Sequence, residues 1–344
     1  MSSFEHALDT IVTGRGRETM QQLRIGIIGT GWFSQVHADN LVAMDAVKVQ
    51  AICGSSVNKG EQMARQYGAT GYGNVTEMLE AEKLDAVYIC VPPMFHGEME
   101  EQLIERGIPF LVEKPIGINS ELPRRLLKQI EAKSLLTSVG YHFRYKETVS
   151  QMKQLLSEQQ VGMALGQWMG SMPGVAWWRQ QEGSGGQFIE QTTHIVDILR
   201  YCLGDVEEVY AMNGNRVMHE RHEGVSVSDV GTVTLKLANG VIANISNTCV
   251  LPGGVDQTGL TFYTAEGMLD WNPSRLKVIT PNVRTEYYDS TNPYVIESET
   301  FINALRTGDS SRIRSDYADA FKTQLVTYAA LESANTGLPI RIQY

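Results

Sequence analysis

The chain has 344 residues, 42% of them hydrophobic, which is room for two domains of ordinary size with a core in each. Its net charge of -10 repels phosphate backbones and anionic lipid, and no Lys/Arg cluster breaks the acidic mean, so neither nucleic acid nor a membrane is an expected partner. Cys53, Cys90, Cys202 and Cys249 are widely spaced in apolar patterns, as buried thiols of a reducing cytoplasm are. No apolar run approaches the roughly 18 residues of a membrane helix, and the first residues lack the apolar stretch of a secretion signal.

Residues 1–22 form an N-terminal extension with a short helical stretch over residues 4–12, closed by Gly14 and Gly16. Met20 stands just before the first strand, so residues 1–19 read either as an upstream extension or as an arm in an oligomer contact. Residues 23–28 are an apolar, β-branched run that breaks into Gly29, Thr30, Gly31, Trp32, Phe33 and Ser34, followed by a helical pattern through His37, Asn40 and Leu41. Strand, glycine turn and helix in that order suit a dinucleotide: Gly29 permits the tight turn, and Gly31 lets a pyrophosphate approach the helix N-terminus. The second strand, residues 47–53, ends in Ser55, Ser56 and Lys59, with no acid between Asp45 and Glu61. An NAD site usually puts a carboxylate there for the ribose 2'-hydroxyl; hydroxyls and a lysine suit a 2'-phosphate, so NADP is favoured over NAD.

The alternation continues with helices over residues 61–67 and 75–80 and a buried strand over residues 84–91, as a parallel sheet requires. That strand runs into a loop with Pro92, Pro93 and His96, where the histidine either satisfies the start of the next helix or meets the cofactor. The run 108–112 then leads into Glu113, Lys114 and Pro115. A lysine held extended by the following proline, at the carboxyl end of a central strand, lies where open α/β sheets bind ligands. After a helix over residues 120–132 and a strand over residues 136–140, Tyr141, His142, Phe143 and Arg144 reach the same edge.

Taken together, Gly29 to His37, Pro92 to His96, Glu113 to Pro115 and Gly140 to Arg144 resemble, in order and spacing, the glucose-fructose oxidoreductase, inositol dehydrogenase and MocA family, and the likeness runs nearly the whole chain from Leu23. It implies a Rossmann dinucleotide-binding domain over residues 23–143, with Glu113 and Lys114 at the cofactor and Lys114 beside the nicotinamide.

From residue 144 the pattern becomes a helix over residues 149–158 and long strands over residues 164–171, 206–215, 226–237, 241–250, 260–264 and 276–280, with Asn239 and Gly240 as a hairpin turn. The expected fold class is therefore α/β: a Rossmann domain followed by an α+β domain, residues 144–344, with a large, mostly antiparallel open sheet. A wide sheet with apolar side chains on both faces needs cover, so a homodimer or homotetramer through that sheet is expected.

If residues 189–203 form one helix, then Glu190, His194, Asp197 and Tyr201 share a face. The resemblance implies that His194 is the general acid or base and Glu190 the carboxylate that orients it, although Glu190 is a methylene longer than the family's aspartate. Trp177, Trp178 and Arg179 could stack on and hydrogen-bond a sugar ring, with core tryptophans as the competing account. Tyr141 and Arg144 complete the candidate substrate contacts. His219, Glu220, Arg221, His222 and Glu223 do not match a metal-binding spacing and read as a polar loop, and no metal is expected. Helices over residues 297–306 and 317–334 close the chain.

The reading is an NAD(P)-dependent oxidoreductase that moves a hydride between nicotinamide and a carbinol or keto carbon of a sugar, an inositol-like polyol or a sugar derivative. His194 takes the hydroxyl proton, and Lys114 bonds the same oxygen. Two rivals remain: a cofactor-retaining glycoside hydrolase or lyase that uses transient oxidation, and a non-catalytic dinucleotide-dependent sensor.

Overall fold

The computed structural model describes residues 21–344, so the expected helix over residues 4–12 lies outside the described residues. The first half alternates β1 (Leu23–Ile28), α1 (Trp32–Val42), β2 (Val47–Cys53), α2 (Val57–Tyr67), β3 (Thr70–Tyr72), α3 (Val75–Ala81), β4 (Ala86–Ile89), α4 (Glu98–Arg106), β5 (Phe110–Val112), α5 (Glu121–Lys133) and β6 (Thr137–Val139). These strands make a six-stranded parallel sheet of order β3-β2-β1-β4-β5-β6. The order reverses between β1 and β4, and the crevice beyond the strands' carboxyl ends at such a reversal is where a dinucleotide lies. Buried on both faces, β4 and β5 need continuous apolar runs and have them, Ala-Val-Tyr-Ile and Phe-Leu-Val.

The second half holds α6 (Glu147–Ser157), β7 (Val161–Met169), α7 (Gln181–Ser184), α8 (Gln187–Glu190), α9 (Thr193–Leu203), β8 (Val206–Gly214), α10 (Met218–Arg221), β9 (Val230–Leu237), β10 (Ile242–Thr248), β11 (Gln257–Thr264), β12 (Met268–Asn272), β13 (Arg275–Ile279), β14 (Arg284–Tyr287), α11 (Pro293–Thr307), α12 (Tyr317–Thr336) and β15 (Ile340–Arg341). The nine strands form one sheet of order β14-β13-β12-β11-β7-β10-β9-β8-β15, antiparallel except where β7 runs parallel to β10. Gly240, at φ 88°, turns the expected hairpin between β9 and β10. The edge strands β3 and β14 and the interior strand β12 were not anticipated, the short strand expected after Pro339 is β15, and residues 218–221 form a helical turn where a loop was expected.

Helices of the second half complete the first half's cores. Tyr317, Ala320, Phe321 and Leu325 of α12 pack with β4, β5 and β6, while Val326, Ala329 and Ala330 of the same helix join the core under the nine-stranded sheet. Phe301 and Ile302 of α11 pack with β1, β2 and β4. One continuous helix, α12, therefore braces both sheets.

The rim of the crevice depends on close backbone approach. A Cβ on Gly60, inside α2, would fall 2.1 Å from the Tyr72 carbonyl oxygen, and one on Gly71 would fall 2.4 Å from the Glu61 backbone. These two glycines let α2 lie directly on β3, which sets Ser55 and Lys59 at the crevice. Gly60→Ala raises helix propensity by about 1 kcal/mol, yet the obstructing atom is backbone, so a net destabilisation of about 1–3 kcal/mol is expected from urea unfolding. An unchanged or higher midpoint would show that α2 and β3 can separate without cost.

Candidate active site

The crevice at the sheet's carboxyl edge is a groove of about 900 Å³. Gly29, Thr30, Gly31, Ser55, Lys59 and Pro92 line it, as expected of cofactor contacts, together with Gln35, Gln62, Asn74, Thr76, Glu98 and Gln102, which no sequence motif singled out. Gly29 sits at φ 115°, and a Cβ there would lie 2.2 Å from the Cys90 carbonyl oxygen, so only glycine makes this turn. At Gly31, the N-cap of α1, a Cβ would meet nothing within 4 Å: it points into open groove beside the free amides of a helix start. The residues present thus fit a pyrophosphate on the backbone at the N-terminus of α1. Near the end of β2, Lys59 Nζ donates to Ser55 Oγ at 3.1 Å.

Of the other expected cofactor contacts, Ser34, Ser56, His96, Glu113 and Lys114 are buried or bonded within the protein. Trp32, Phe33, Ser34, Ser56, His96, Glu113 and Lys114 do not line this groove. Ser34 is buried beneath the Gly29 turn, and the Ser56 hydroxyl caps α2 by accepting from the Lys59 amide. His96 Nδ1 bonds Glu100, whose other oxygen accepts from the Gly97 amide at 2.7 Å, so this histidine secures the start of α4. Glu113 turns inward to His37, 2.8 Å away.

Lys114 stands where β5 ends, before a cis bond to Pro115, and only 6% of its side chain is exposed. Its Nζ donates to the Glu190 carbonyl at 2.8 Å and contacts the Glu190 carboxylate at 3.2 Å. The other carboxylate oxygen accepts from Trp178 Nε1 at 2.8 Å. This corrects two expectations. Residues 189–203 are not one helix: the His194 amide bonds the Gln191 carbonyl, at 3.2 Å, while the Glu190 carbonyl serves Lys114, so α8 ends before α9 begins. Glu190 is accordingly turned to Lys114 and Trp178, and it makes no hydrogen bond to His194 among the described residues.

His194 instead sits in an aromatic box. Trp168 stacks on its ring, and Tyr141, His142 and Phe143 surround it at centroid distances of 5.0–5.9 Å. Its Nδ1 is buried with no partner among the described residues. Burial, followed by the charge of Lys114 and the neighbouring His142, holds its pKa well below the ordinary histidine value, so the imidazole is neutral at physiological pH and able to accept a proton. His142, stacked on Tyr294 at 4.1 Å, is pushed down to about 3 by burial and then by Lys114 and Lys146. Sequence reasoning passed over Trp168, His142 and Tyr294 as site residues; only His142 stood in a motif.

The other expected substrate contacts divide. Trp178 is buried and belongs to the small cluster with Met218, Val227 and Cys249, while Trp177 and Arg179 are half-buried in the same 3-10 turn, Ala176–Arg179. Tyr141 hydroxyl bonds Thr193 Oγ1 at 2.9 Å inside the protein. Arg144 is 2% exposed and fully engaged: Nε and Nη2 donate to both Asp197 oxygens at 2.7 and 2.6 Å, and Nη1 donates to the Arg314 carbonyl. Arg144 therefore fastens α9 from behind and is not available to a substrate. His219 and Glu220 of the polar stretch face solvent.

The switch-point sheet and its glycine turn define a dinucleotide-binding enzyme, and a lysine bonded to a carboxylate and a buried histidine of depressed pKa stand where its two halves meet. Residues 23–141 match the GFO/IDH/MocA oxidoreductase family, with its NAD-binding Rossmann fold, and residues 149–270 match the GFO/IDH/MocA C-terminal domain. The chain belongs to this family of NAD(P)-dependent oxidoreductases. It is 23% identical to the myo-inositol 2-dehydrogenase of Thermotoga maritima, over 93% of this chain and 99% of that one. With the scyllo-inositol 2-dehydrogenase (NAD(+)) of Bacillus subtilis the identity is 24%, over 93% and 96%. The fold is shared with levoglucosan dehydrogenase in complex with NADH and L-sorbose, at TM-score 0.86 and 19% identity over 94% of this chain and 100% of that one.

Because Arg144 is buried with its partner, Arg144→Met strands the Asp197 charge and is expected to cost about 3–5 kcal/mol in urea unfolding. A normal midpoint with a raised substrate KM would return Arg144 to the substrate site.

Proposed function

We propose that the chain catalyses reversible hydride transfer between a CH–OH carbon of a sugar, polyol or sugar derivative and a nicotinamide cofactor, with NADP preferred. The observation that carries this reading is the Lys114 ammonium, held by Glu190 at the end of β5 beside the neutral, buried His194. The relatives support the substrate class, since those named above are inositol and levoglucosan dehydrogenases.

When bound, the nicotinamide exchanges the hydride at its C4. His194 takes the proton from the substrate hydroxyl in the oxidising direction, and its neutral state makes it ready to do so. Lys114 donates to the same oxygen and opposes the negative charge that builds there. Glu190 keeps the ammonium aimed, and Trp178 fixes the far oxygen of that carboxylate. Trp177 and Arg179, half-buried in the same turn as Trp178, are offered as contacts to the rest of the substrate. The aromatic box buries the imidazole, and with the charge of Lys114 it keeps the ring unprotonated before the substrate proton arrives.

The NADP preference rests on Ser55 and Lys59 in the groove and the lack of an acid between Asp45 and Glu61. The outward face of the nine-stranded sheet exposes Met163, Leu165, Ile242 and Tyr263 on the adjacent strands β11, β7 and β10. Tyr210 and Met212 on β8 lie beyond a stripe of Thr232, Thr234 and Asn244, and this mixed surface suits pairing with a second copy in a homodimer or homotetramer. Four free cysteines suit a cytoplasmic location, and no described helix is long and apolar enough to cross a membrane.

A cofactor-reduction screen of sugars, inositols and sugar acids with NAD and NADP tests the reading. Turnover with tighter binding of NADPH than NADH is expected, with Lys114→Met and His194→Ala each lowering kcat by about 10²-fold or more while cofactor binding survives. Product formed without net cofactor reduction would favour the lyase or hydrolase reading, tight NADPH binding without any turnover would favour a sensor, and stronger binding of NADH would reverse the cofactor preference.

A further inference from the structure

Resting on the reaction proposed above, we propose that His37 is a positioning residue: through Glu113 it locks the helix that begins the dinucleotide turn to the backbone that carries Lys114. His37 lies on α1, is 0% exposed, and its Nε2 meets Glu113 Oε1 at 2.8 Å, while Ser298 Oγ of α11 lies 3.5 Å from its Nδ1 and Tyr88 of β4 packs on its ring. Glu113 is 5% exposed, its amide donates to the Ile89 carbonyl at 2.8 Å, and its carboxylate fills the space under Gly140, where a Cβ would lie 2.6 Å from Oε2. It thus touches α1, β4 and the strand end that leads to His142 and Phe143, the residues that box His194.

Glu113 faces inward to His37 while its chain neighbour Lys114, at the bend just past β5, faces the Glu190 carbonyl, so fixing the first sets the trajectory of the second. Glu190 holds the end of the lysine side chain; the His37–Glu113 pair holds its base. A donor on the sixth residue of α1 is the one direct side-chain link in the described residues between the glycine-turn helix and Glu113. A displacement of about 1 Å at Lys114 is enough to cost about 10²-fold in rate.

The test reads Lys114 itself, without substrate. Acetylation by an N-hydroxysuccinimide ester is followed by mass spectrometry at Lys114 and at Lys146, a lysine of comparable burial paired with Asp289. His37→Leu fills the ring's place without a donor and is expected to speed labelling of Lys114 by about fivefold or more by loosening it locally, with Lys146 unchanged. His37→Gln, which keeps a donor, restores the slow rate. If the unpaired Glu113 prevents folding of His37→Leu, the double variant His37→Leu/Glu113→Leu removes both buried polar groups and is expected to label alike. On a substrate found by the screen, His37→Leu lowers kcat by about tenfold or more, with cofactor Kd nearly unchanged. Unchanged Lys114 labelling, an equal rise at both lysines, failure of His37→Gln to rescue, or a normal kcat would each overturn the proposal. The labelling outcome does not depend on whether any sugar is turned over, so it separates failure of this link from failure of the reaction assignment.

Discussion

One ammonium ties the two halves of the chain together at the place where chemistry is proposed. Lys114 leaves the end of a short, fully buried strand of the parallel sheet and donates to the carbonyl and carboxylate of Glu190, in the second half of the chain, leaving its third N–H for the substrate oxygen of the proposed reaction. Taking that carbonyl out of the helical ladder ends α8 and lets α9 start afresh, so the lysine shapes the segment that presents His194. The carboxylate is in turn bonded by Trp178, whose ring is packed in a separate small apolar cluster. A charged pair with little exposure is costly unless its hydrogen bonds are made, and here they are made from both sides.

The electrostatics around this pair keep the histidine unprotonated. His194 lies inside an aromatic box with one ring nitrogen unpartnered, near a lysine, and without a carboxylate bonded to it. Each circumstance disfavours the imidazolium. A Glu190–His194 hydrogen bond would have done the reverse, raising the histidine's basicity and holding it charged. The arrangement assigns the carboxylate to the lysine and leaves the histidine neutral, while Arg144 and Asp197 satisfy one another behind α9.

The dinucleotide half was legible because its physical demands are local. A buried parallel strand needs a continuous apolar run, and a turn at φ 115° needs glycine, so residues 23–31 state their structure directly. Family likeness then pointed to Lys114 and His194. The stretch from Glu190 to Tyr201 misled for an equally physical reason: its polar spacing fits a helical face, but continuity is broken by a lysine 76 residues upstream, which no local pattern encodes. Arg144, read as a substrate contact from its place at the sheet edge, is buried by Asp197, Asp319 and the Arg314 carbonyl, all distant in sequence. Strands β3 and β14, Thr-Gly-Tyr and Arg-Thr-Glu-Tyr, lack alternation because they pair at sheet edges with little to bury.

The central claim is that a neutral His194 and Lys114 serve one substrate oxygen. The most direct measurement is the pH dependence of single-turnover hydride transfer from the sugar or polyol the chain oxidises fastest. A histidine with a depressed pKa stays unprotonated as pH falls through the ordinary value of about 6.5, so the rate should remain level there and decline only at distinctly lower pH. A decline centred at or above about 6.5 would mean that the imidazole titrates as if exposed or paired with a carboxylate, and would contradict the account.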